Sequence, residues 1–484
     1  MTLPRLHFTS RLRAVLLASL MAAALLALPT SASAGPFAEV SIQDDQLLLG
    51  ASQADIDANM ELFRTFGIDR LRVSAFWEQI APDPNSRQRP EGFDAANPAE
   101  PRYRFADLDR VVESAARHQL SIQISILTPA PIWATREPRR DSHVFKPDAA
   151  EFGAFSAAVA ARYAPFVDYW GVGNEPNQIL FLRPQSDKRG TVAPHIYRAM
   201  VQAAYPRIKQ IDPTSIALVG ELYGAGRKGR GPLVPIRPLR FLRALGCRDS
   251  KYRRIRRGRC KNFKPVPMDA VGHHPYQLLL APRIRSLNKD DAAINDGRRL
   301  LKVIDRLVRV GAFKTPDGKL PFLYYTEFGY QTSPPDPFAG VSLAEQKNYL
   351  QRASFIAWAT PRVRELNQFR LTDGALSGAG PTRFREFQSG LLFSDRRPKP
   401  SVGTFPDPFV ISGNRFWGHV LPGGTHSVKV EHRRGTSGRF RIVARVLTTP
   451  NGYFNFFLRG RRPGQYRYRY TDPVGASGIV RVRR

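Results

Sequence analysis

Cysteine is scarce in this chain of 484 residues, which contains only Cys247 and Cys260. Neither has a neighbouring Cys/His pair that would complete a tetrahedral site, so we expect no metal. Each cysteine has only the other to pair with, and we predict a disulfide that closes the segment CRDSKYRRIRRGRC. Such a bond persists in an exported protein, and here it would fix an arginine-rich insertion without apolar periodicity.

Long apolar runs are also scarce. Residues 14–28 form an uncharged run, preceded by three arginines and followed by Ala32 and Ala34 at A-x-A positions. This pattern predicts a secretory signal peptide over residues 1–34. The alternative is a membrane anchor, but about 15 residues are fewer than the roughly 20 that a spanning helix needs. No later stretch is long and apolar enough to span a bilayer, so we predict a secreted protein.

Acidic residues are heavily outnumbered, which gives a formal net charge of +32 at pH 7. Such an excess is compatible with binding to nucleic acid, to an anionic glycan or to an acidic cell surface. However, the chain has 59 arginines and 14 lysines, and the arginines are spread over its whole length. Such a pattern often reflects the composition of the genome and not a binding function. No helix-turn-helix, zinc finger or RNA-binding motif accompanies them, so we predict no nucleic-acid partner.

From residue 40 to about 395, short β-rich runs alternate with longer segments of helical spacing. The eight runs are LLLGAS, DRLRVSAF, LSIQISIL, FVDYWGVG, SIALVGEL, MDAVGHH, FLYYTEFG and ELNQFRLT. The helical segments include residues 54–66, 105–118, 149–163, 194–211, 238–245, 295–310 and 343–359. Eight such units predict an α/β fold with a (β/α)8 TIM barrel over residues 35–400. A doubly wound sheet is the alternative, but no glycine-rich phosphate loop follows an early strand.

After residue 400 the helical segments stop, and short alternating runs separated by turn residues follow. This spacing predicts a small all-β sandwich domain over residues 401–484. The segment has 15 basic and 3 acidic residues, so it could bind an anionic cell-wall glycan or another sugar. Alternatively it is a packing module, with Tyr466, Tyr468 and Tyr470 on its core face and the intervening arginines in solvent.

Polar residues at the carboxyl ends of barrel strands face the active site in a TIM barrel. Here Glu175 follows the fourth predicted strand and Glu327 follows the seventh, so the two carboxylates face each other across the barrel mouth. Glycoside hydrolysis needs such a pair, because one carboxylic acid protonates the leaving oxygen while the other attacks the sugar carbon. Retention of configuration requires a separation of about 5 Å. No Ser-His-Asp arrangement emerges with comparable clarity.

The segments GNEP after the fourth strand and TEFG at the end of the seventh resemble clan A glycoside hydrolases, the retaining barrel glycosidases. Within that clan the chain is similar to the cellulase-type family 5 and to family 39, without a choice between them. The resemblance covers residues 40–400. It implies Glu175 as acid/base and Glu327 as nucleophile. It also implies supporting roles for four further residues, namely Asn174 toward the sugar 2-hydroxyl, Arg72 and Tyr276 toward the nucleophile, and His274 beside them.

In one respect the sequence departs from the clan, whose members usually carry a Trp at the end of strand eight. Phe369 or Leu371 stands at that place here, which leaves the substrate open. Trp77 and Trp133 are candidate sugar platforms, although at least one tryptophan of the barrel belongs to the core. Glu221, at the end of the fifth strand, either binds substrate or lines a loop.

These observations predict a secreted retaining O-glycoside hydrolase that needs no cofactor and cleaves a β-linkage in a polysaccharide or glycoside. Activity on another linkage, such as an α-L-iduronide or an arabinoside, is the alternative among enzymes. A glycan-binding barrel without catalysis is the alternative from another class, and the retained carboxylates argue against it. A charge-driven anion-binding surface protein is the third, and its binding would fall steeply with salt.

Overall fold

The computed structural model describes residues 38–483, so the predicted signal peptide lies outside the described residues. Eight parallel strands close into a barrel, each hydrogen-bonded to the next in chain order, with the first strand against the eighth. The strands are β1 Glu39–Gln43, β2 Arg70–Phe76, β3 Ser121–Leu127, β4 Tyr169–Val172, β5 Ile216–Tyr223, β6 Ala270–His274, β7 Leu323–Tyr325 and β8 Val363–Phe369. The predicted TIM barrel is confirmed.

Within residues 38–483, seven helices of eight or more residues surround the barrel. They are α1 Gln53–Thr65, α2 Ala106–Arg117, α3 Ala149–Tyr163, α4 Ala193–Ile211, α5 Pro238–Leu245, α6 Gly297–Arg309 and α7 Leu343–Ala359. Polar caps fix several of their starts, because the first backbone N–H groups of a helix have no partner within it. Ser52 accepts from the amide of Asp55, and Asp148 accepts from the amides of residues 150 and 151.

The first strand lies earlier than the sequence pattern predicted. LLLGAS is not a strand, because residues 45–48 form one helical turn and the chain then leads into α1. The strand is EVSIQ, whose alternate side chains Ser41 and Gln43 point into a polar barrel interior. Ser41 there donates a hydrogen bond to the buried carboxylate of Glu365. Those polar interior positions hide the apolar signal by which a barrel strand is usually recognised.

The C-terminal region is built from antiparallel strands, as predicted, in two sheets. One sheet holds β9 Phe409–Ser412, β10 Arg415–His419 and β13 Tyr453–Phe457. The other holds β11 Ser427–Arg433, β12 Arg441–Leu447, β14 Gly464–Thr471, β15 Val474–Ala476 and β16 Val480–Val482. Side chains from both sheets share one apolar cluster, including Tyr466, Tyr468 and Tyr470, so the tyrosine face is core.

The C-terminal sheets are attached to the barrel through aromatic side chains. Trp417 of β10 packs against Trp358 and Phe355 of α7, with ring centroids 6.0 and 5.6 Å apart. The hydroxyl of Tyr453 donates to the carbonyl of Ala38, just before β1. These contacts bury large apolar surfaces on both sides, so the β region packs directly on the barrel.

The two cysteines form the predicted disulfide, Cys247–Cys260, after α5. Within residues 38–483, no helix combines the length and the apolar composition that crossing a bilayer requires.

Candidate active site

The residues that follow the barrel strands meet around a cavity of about 240 Å³. Asn174 and Glu175 after β4, Tyr276 after β6 and Glu327 after β7 all line it. The side chains of Glu175 and Glu327 are only 13% and 10% exposed. The structure therefore brings the two predicted catalytic carboxylates together in a largely dehydrated place, where charges interact more strongly than in water.

The GNEP segment makes a sharp turn out of β4, which explains its composition. Gly173 has φ +86°, and a Cβ at that position would lie 2.8 Å from the ring of Tyr197. Glu175 itself has φ +40°, a conformation that non-glycine residues rarely adopt and that clusters at functional sites. A hydrogen bond stabilises this backbone conformation, since the amide of Glu175 donates to the carbonyl of Glu221 over 2.9 Å. This turn aims the Glu175 side chain into the barrel mouth.

The two carboxylates are near neighbours. A carboxylate oxygen of Glu175 lies within 4.8 Å of one of Glu327. Nδ1 of His274 lies between them, 2.9 Å from Glu175 Oε1 and 3.5 Å from Glu327 Oε2. Burial and the charge of Arg72 lower the pKa of His274 well below its usual range, so the ring is neutral. Among residues 38–483 nothing bonds its Nε2, so a proton on Nδ1 avoids burying an unpaired N–H.

Arg72 of β2 is the only cation in direct contact with the pair among the described residues, and it touches only one member. Its guanidinium donates to Glu327 Oε1 over 2.8 Å and to Asn174 Oδ1 over 3.1 Å. It also donates to Glu221 Oε2 over 2.7 Å and to the side chain of Gln43. The charge of Glu327 is thus stabilised directly, whereas Glu175 receives no such bond from Arg72.

Glu221 was predicted to bind substrate or line a loop, and the structure corrects both ideas. It is fully buried in the barrel interior, where it pairs with Arg72. Glycines on the two flanking strands make room for it. A Cβ on Gly171 would lie 2.8 Å from its Oε1, and one on Gly272 would lie 2.7 Å from its Cγ. Glu221 is therefore a positioning residue for Arg72. Arg72 and His274 are also fully buried, so they contact the two carboxylates from the barrel interior and not from the cavity.

The two carboxyl groups have different proton affinities. Burial raises the pKa of Glu327 to about 7, and the neighbouring Arg72 charge limits that rise. Burial raises the pKa of Glu175 well above its usual range, and the negative charge of Glu327 raises it further. Glu327 therefore ionises first, while Glu175 keeps its proton.

Tyr276 supports the same carboxylate as Arg72. Its hydroxyl donates to Glu327 Oε2 over 3.2 Å. The ring is held in an aromatic row, with Tyr223 stacked at 5.8 Å and Phe328 at 6.3 Å. The expected place of Tyr276 beside Glu327 is thus found, and Tyr223 joins the site without having been predicted.

Neither candidate tryptophan lies at the site. Trp77 is 1% exposed and packs between β2 and α3 against Phe152 and Phe155. Trp133 is buried too, with its indole N–H bonded to the carbonyl of Pro82 and its ring against Phe93. Both are core residues, so the prediction of tryptophan platforms is wrong. At the strand-eight position Phe369 lines the cavity, whereas Leu371 is fully buried.

Most of the other cavity residues were not predicted, because they come from several strand ends and from loops far apart in the sequence. Three polar side chains at the ends of β1 and β2 form a hydrogen-bonded cluster, in which Gln43 and Ser74 each donate to Asp45 over 2.7 Å. The apolar lining includes Phe76, Leu127, Leu180, Phe181, Leu278, Phe369 and Phe387. Except for Phe369, which the sequence places at the end of strand eight, no motif marks these positions in the sequence.

The same cluster has the donor types of a metal site, since Glu175, His274 and Glu327 each offer one ligand atom within 4.8 Å of the others. The guanidinium of Arg72, 2.8 Å from Glu327, already neutralises the charge that a cation would bind. The residues therefore fit an acid–base pair better than a cation site. In the second candidate group, around His195, both thiols are consumed by the disulfide.

No protein-family model matches the chain, and no curated protein matches it. Among solved structures, β-glucuronidase 2 of Bacteroides uniformis is similar with 12% identity and a TM-score of 0.46, over 92% of this chain and 46% of that one. A glucosidase from Croceicoccus marinus has 13% identity and a TM-score of 0.48, over 82% and 88% of the two chains. A GH5_18 protein from Streptomyces cattleya has 15% identity and a TM-score of 0.48, over 76% of this chain and 79% of that one.

The chain spans about half the length of the glucuronidase it resembles. The solved structures named above are of glycoside hydrolases, at identities too low to transfer a reaction.

Proposed function

We propose that this protein is a retaining O-glycoside hydrolase that cleaves a β-glycosidic bond by double displacement between Glu327 and Glu175. The observation that carries the proposal is the pair itself. Two buried carboxylates have oxygens within 4.8 Å of each other, and of these two carboxylates Arg72 bonds only that of Glu327. Inverting enzymes need more room for a water between their carboxyl groups, roughly 6.5–9.5 Å, so this spacing favours retention.

In the first step the ionised Glu327 attacks the anomeric carbon of the sugar. Arg72 and Tyr276 hold it by bonds to its two different oxygens, which fixes its orientation. Glu175 gives its proton to the leaving oxygen, so the aglycone departs as a neutral alcohol. The products of this step are a glycosyl ester on Glu327 and an ionised Glu175.

In the second step the roles reverse. The negative charge of Glu327 is one cause of the raised pKa of Glu175, and esterification removes that charge. The pKa of Glu175 then falls, so its carboxylate can take a proton from water as the water attacks the sugar carbon. The ester bond to Glu327 breaks, and both carboxyl groups return to their starting protonation states.

The test is hydrolysis of a panel of aryl glycosides by residues 35–484, beside a Glu327→Ala variant. We expect one sugar to be cleaved and the variant to lose nearly all of that rate. Added azide should restore aglycone release in the variant by forming a glycosyl azide. Glucosides, glucuronides, iduronides and arabinosides on the panel separate the possible sugars. A wild-type protein that binds glycans but cleaves none would support the binding-protein alternative.

We propose further that the protein is secreted. The signal-peptide pattern of residues 1–34 and the disulfide support this, since disulfides persist in oxidising compartments. N-terminal sequencing of the exported protein should begin near residue 35.

We also propose that the C-terminal domain binds an anionic cell-wall glycan through exposed arginines around β12, among them Arg434, Arg439, Arg441 and Arg445. Retention of the full chain on an anionic polysaccharide should fall steeply with salt. Equal retention on a neutral polysaccharide would contradict this role.

A further inference from the structure

The cavity has two walls of different chemistry. On one side lie the linked polar side chains of Gln43, Asp45 and Ser74, at the ends of β1 and β2, with the rings of Phe76 and Phe369 beside them. On the other side lie side chains contributed by β4, β5, β6 and the loops that follow them. In the barrel, β1 and β2 are adjacent to each other and lie across from β5 and β6. The two walls therefore face opposite ends of a bound substrate.

Apart from the site residues already described, Asn174, Glu175 and Tyr276, the second wall is apolar. Leu180 and Phe181 come from the loop after β4, Tyr223 ends β5 and Leu278 follows β6. Of these side chains only Tyr223 carries a polar atom, its hydroxyl. A sugar at this place would bring several hydroxyl groups against carbon, and burying a hydroxyl without a partner is unfavourable.

The apolar wall belongs to the acid/base side of the site. Leu180 and Phe181 follow Glu175 by five and six residues in the same loop. The side-chain amide of Asn177 donates to the carbonyl of Tyr223 and accepts from its N–H, each over 3.0 Å. These two bonds join that loop to β5. Because Glu175 must face the leaving oxygen in order to protonate it, the side chains around it border the leaving group.

The apolar lining continues into solvent. Leu180 is 68% exposed and Leu278 55%, although both line the cavity. The next two residues, Leu279 and Leu280, are about half exposed as well. Scattered exposed leucines are ordinary, but Leu180 and Leu278 line one cavity, and exposed apolar side chains grouped at a pocket mark a ligand-binding surface.

The loop that carries Leu180 is held in place, so its exposure is built into the fold. The side-chain amide of Gln185 donates to the carbonyls of Pro176, Gln178 and Leu182. The hydroxyl of Thr128 donates to the carbonyl of Phe181 over 2.7 Å.

We infer that the leaving group of the substrate is an apolar alcohol, an alkyl or aryl aglycone held by Leu180, Phe181, Tyr223 and Leu278. This rests on the proposed glycosidase function and selects a glycoside over a polysaccharide as the substrate. Glu175 protonates the glycosidic oxygen, and the apolar wall binds the carbon skeleton attached to it.

The experiment compares methyl and octyl glycosides of the sugar identified on the aryl panel, each below its micelle-forming concentration. The two leaving groups have nearly the same acidity and differ in apolar length, so chemical reactivity is matched. Burying a CH₂ group increases affinity about fourfold. Burial of four of the seven additional methylenes predicts a kcat/KM at least about a hundredfold higher for the octyl compound.

Two leucine variants locate the effect. Leu180→Ser should lower the octyl-to-methyl ratio of kcat/KM by about threefold or more, since it removes apolar contact. Leu447→Ser, at a 70% exposed leucine of the C-terminal sheet, is the matched control and should leave the ratio unchanged.

The outcomes separate this inference from the function on which it rests. Turnover of the methyl glycoside that is lost in Glu327→Ala, with an octyl-to-methyl ratio of one or below, leaves the glycosidase proposal standing and overturns the apolar leaving group. A ratio unaffected by Leu180→Ser also overturns it. If neither glycoside is cleaved for any sugar, the glycosidase proposal fails and this inference with it.

An extended chain series distinguishes two sources of such an aglycone. A kcat/KM that levels off at octyl indicates a small soluble glycoside. A continued rise to a hexadecyl glycoside presented in phosphatidylcholine vesicles indicates a glycolipid.

Discussion

Replacing Glu221 by Gln should move the acidic limb of the pH–activity profile to lower pH. Glu221 and Glu327 bind opposite nitrogens of the Arg72 guanidinium, at 2.7 and 2.8 Å. The negative charge of Glu221 is one cause of the raised pKa of Glu327. Removing it leaves the Arg72 charge to Glu327 alone, so the Glu327 carboxyl group ionises more easily.

The size of the shift follows from the geometry. The path through the guanidinium limits the distance between the two carboxylate oxygens to about 8 Å, which at an effective dielectric constant near 20 corresponds to about 2 kcal/mol. The acidic limb of kcat/KM, expected near the Glu327 pKa of about 7, should therefore move down by about one to two pH units.

The surroundings of Glu221 can accept an amide. Its Oε1 receives the side-chain amide of Gln123 over 3.3 Å, and Oε1 of Gln123 has no partner within residues 38–483. A flip of the Gln123 amide would let it accept from the new N–H₂ group, so the variant should fold.

The assay is kcat/KM for the aryl glycoside from pH 4.5 to 9. Glu365→Gln is the matched control, because it changes another buried barrel carboxylate that bonds Ser41 and should leave the limb in place. An acidic limb that stays put or moves upward in Glu221→Gln would refute the electrostatic reasoning.

Further predictions concern stability and the nucleophile. Burial raises the pKa of Glu365 to about 7 from 4.5, so between these pH values the folded protein holds a proton on Glu365 that the unfolded chain has lost. The free energy of unfolding should therefore fall by up to about 3 kcal/mol as pH rises from 4.5 to 7. Urea unfolding at pH 5 and 8 should show a smaller difference for Glu365→Gln than for wild type, and equal differences would contradict it. Gly171→Ala places a Cβ 2.5 Å from Ser125 Oγ and should destabilise the fold by about 1–3 kcal/mol in urea unfolding, whereas Gly403→Ala, in open space, should not. Tyr276→Phe removes a bond to the charged nucleophile and should lower kcat/KM by about 10- to 100-fold with an acidic limb at higher pH; an unchanged profile would argue against that bond.

Much of the barrel could be predicted from the sequence, because apolar strands and capped helices follow simple periodicities. Helices over residues 149–163, 238–245 and 343–359 have the predicted bounds. The first strand was misplaced and β9 and β10 are not singled out by the sequence pattern, for two separate reasons. Polar interior side chains in β1, and the Pro- and Gly-rich composition around residues 403–419, obscure the alternation that marks a strand.

The proximity of Glu175 and Glu327 could be predicted because both residues sit at strand ends, where position along the chain determines position in space. The tryptophans could not be placed, since a large aromatic side chain near a strand end serves the core or the site with the same sequence pattern. The role of Glu221 depends on the space left by Gly171 and Gly272 on neighbouring strands, a relation visible only after the barrel closes.

The most direct test of the central claim is to trap the covalent intermediate. A 2-deoxy-2-fluoro glycoside with a dinitrophenyl leaving group, carrying the sugar that the panel identifies, slows the second step more than formation of the glycosyl ester. Peptide mapping by mass spectrometry should then find one sugar on the peptide that contains Glu327, and none in Glu327→Ala. Continued turnover with no labelled peptide, or a label on another residue, would contradict double displacement at Glu327.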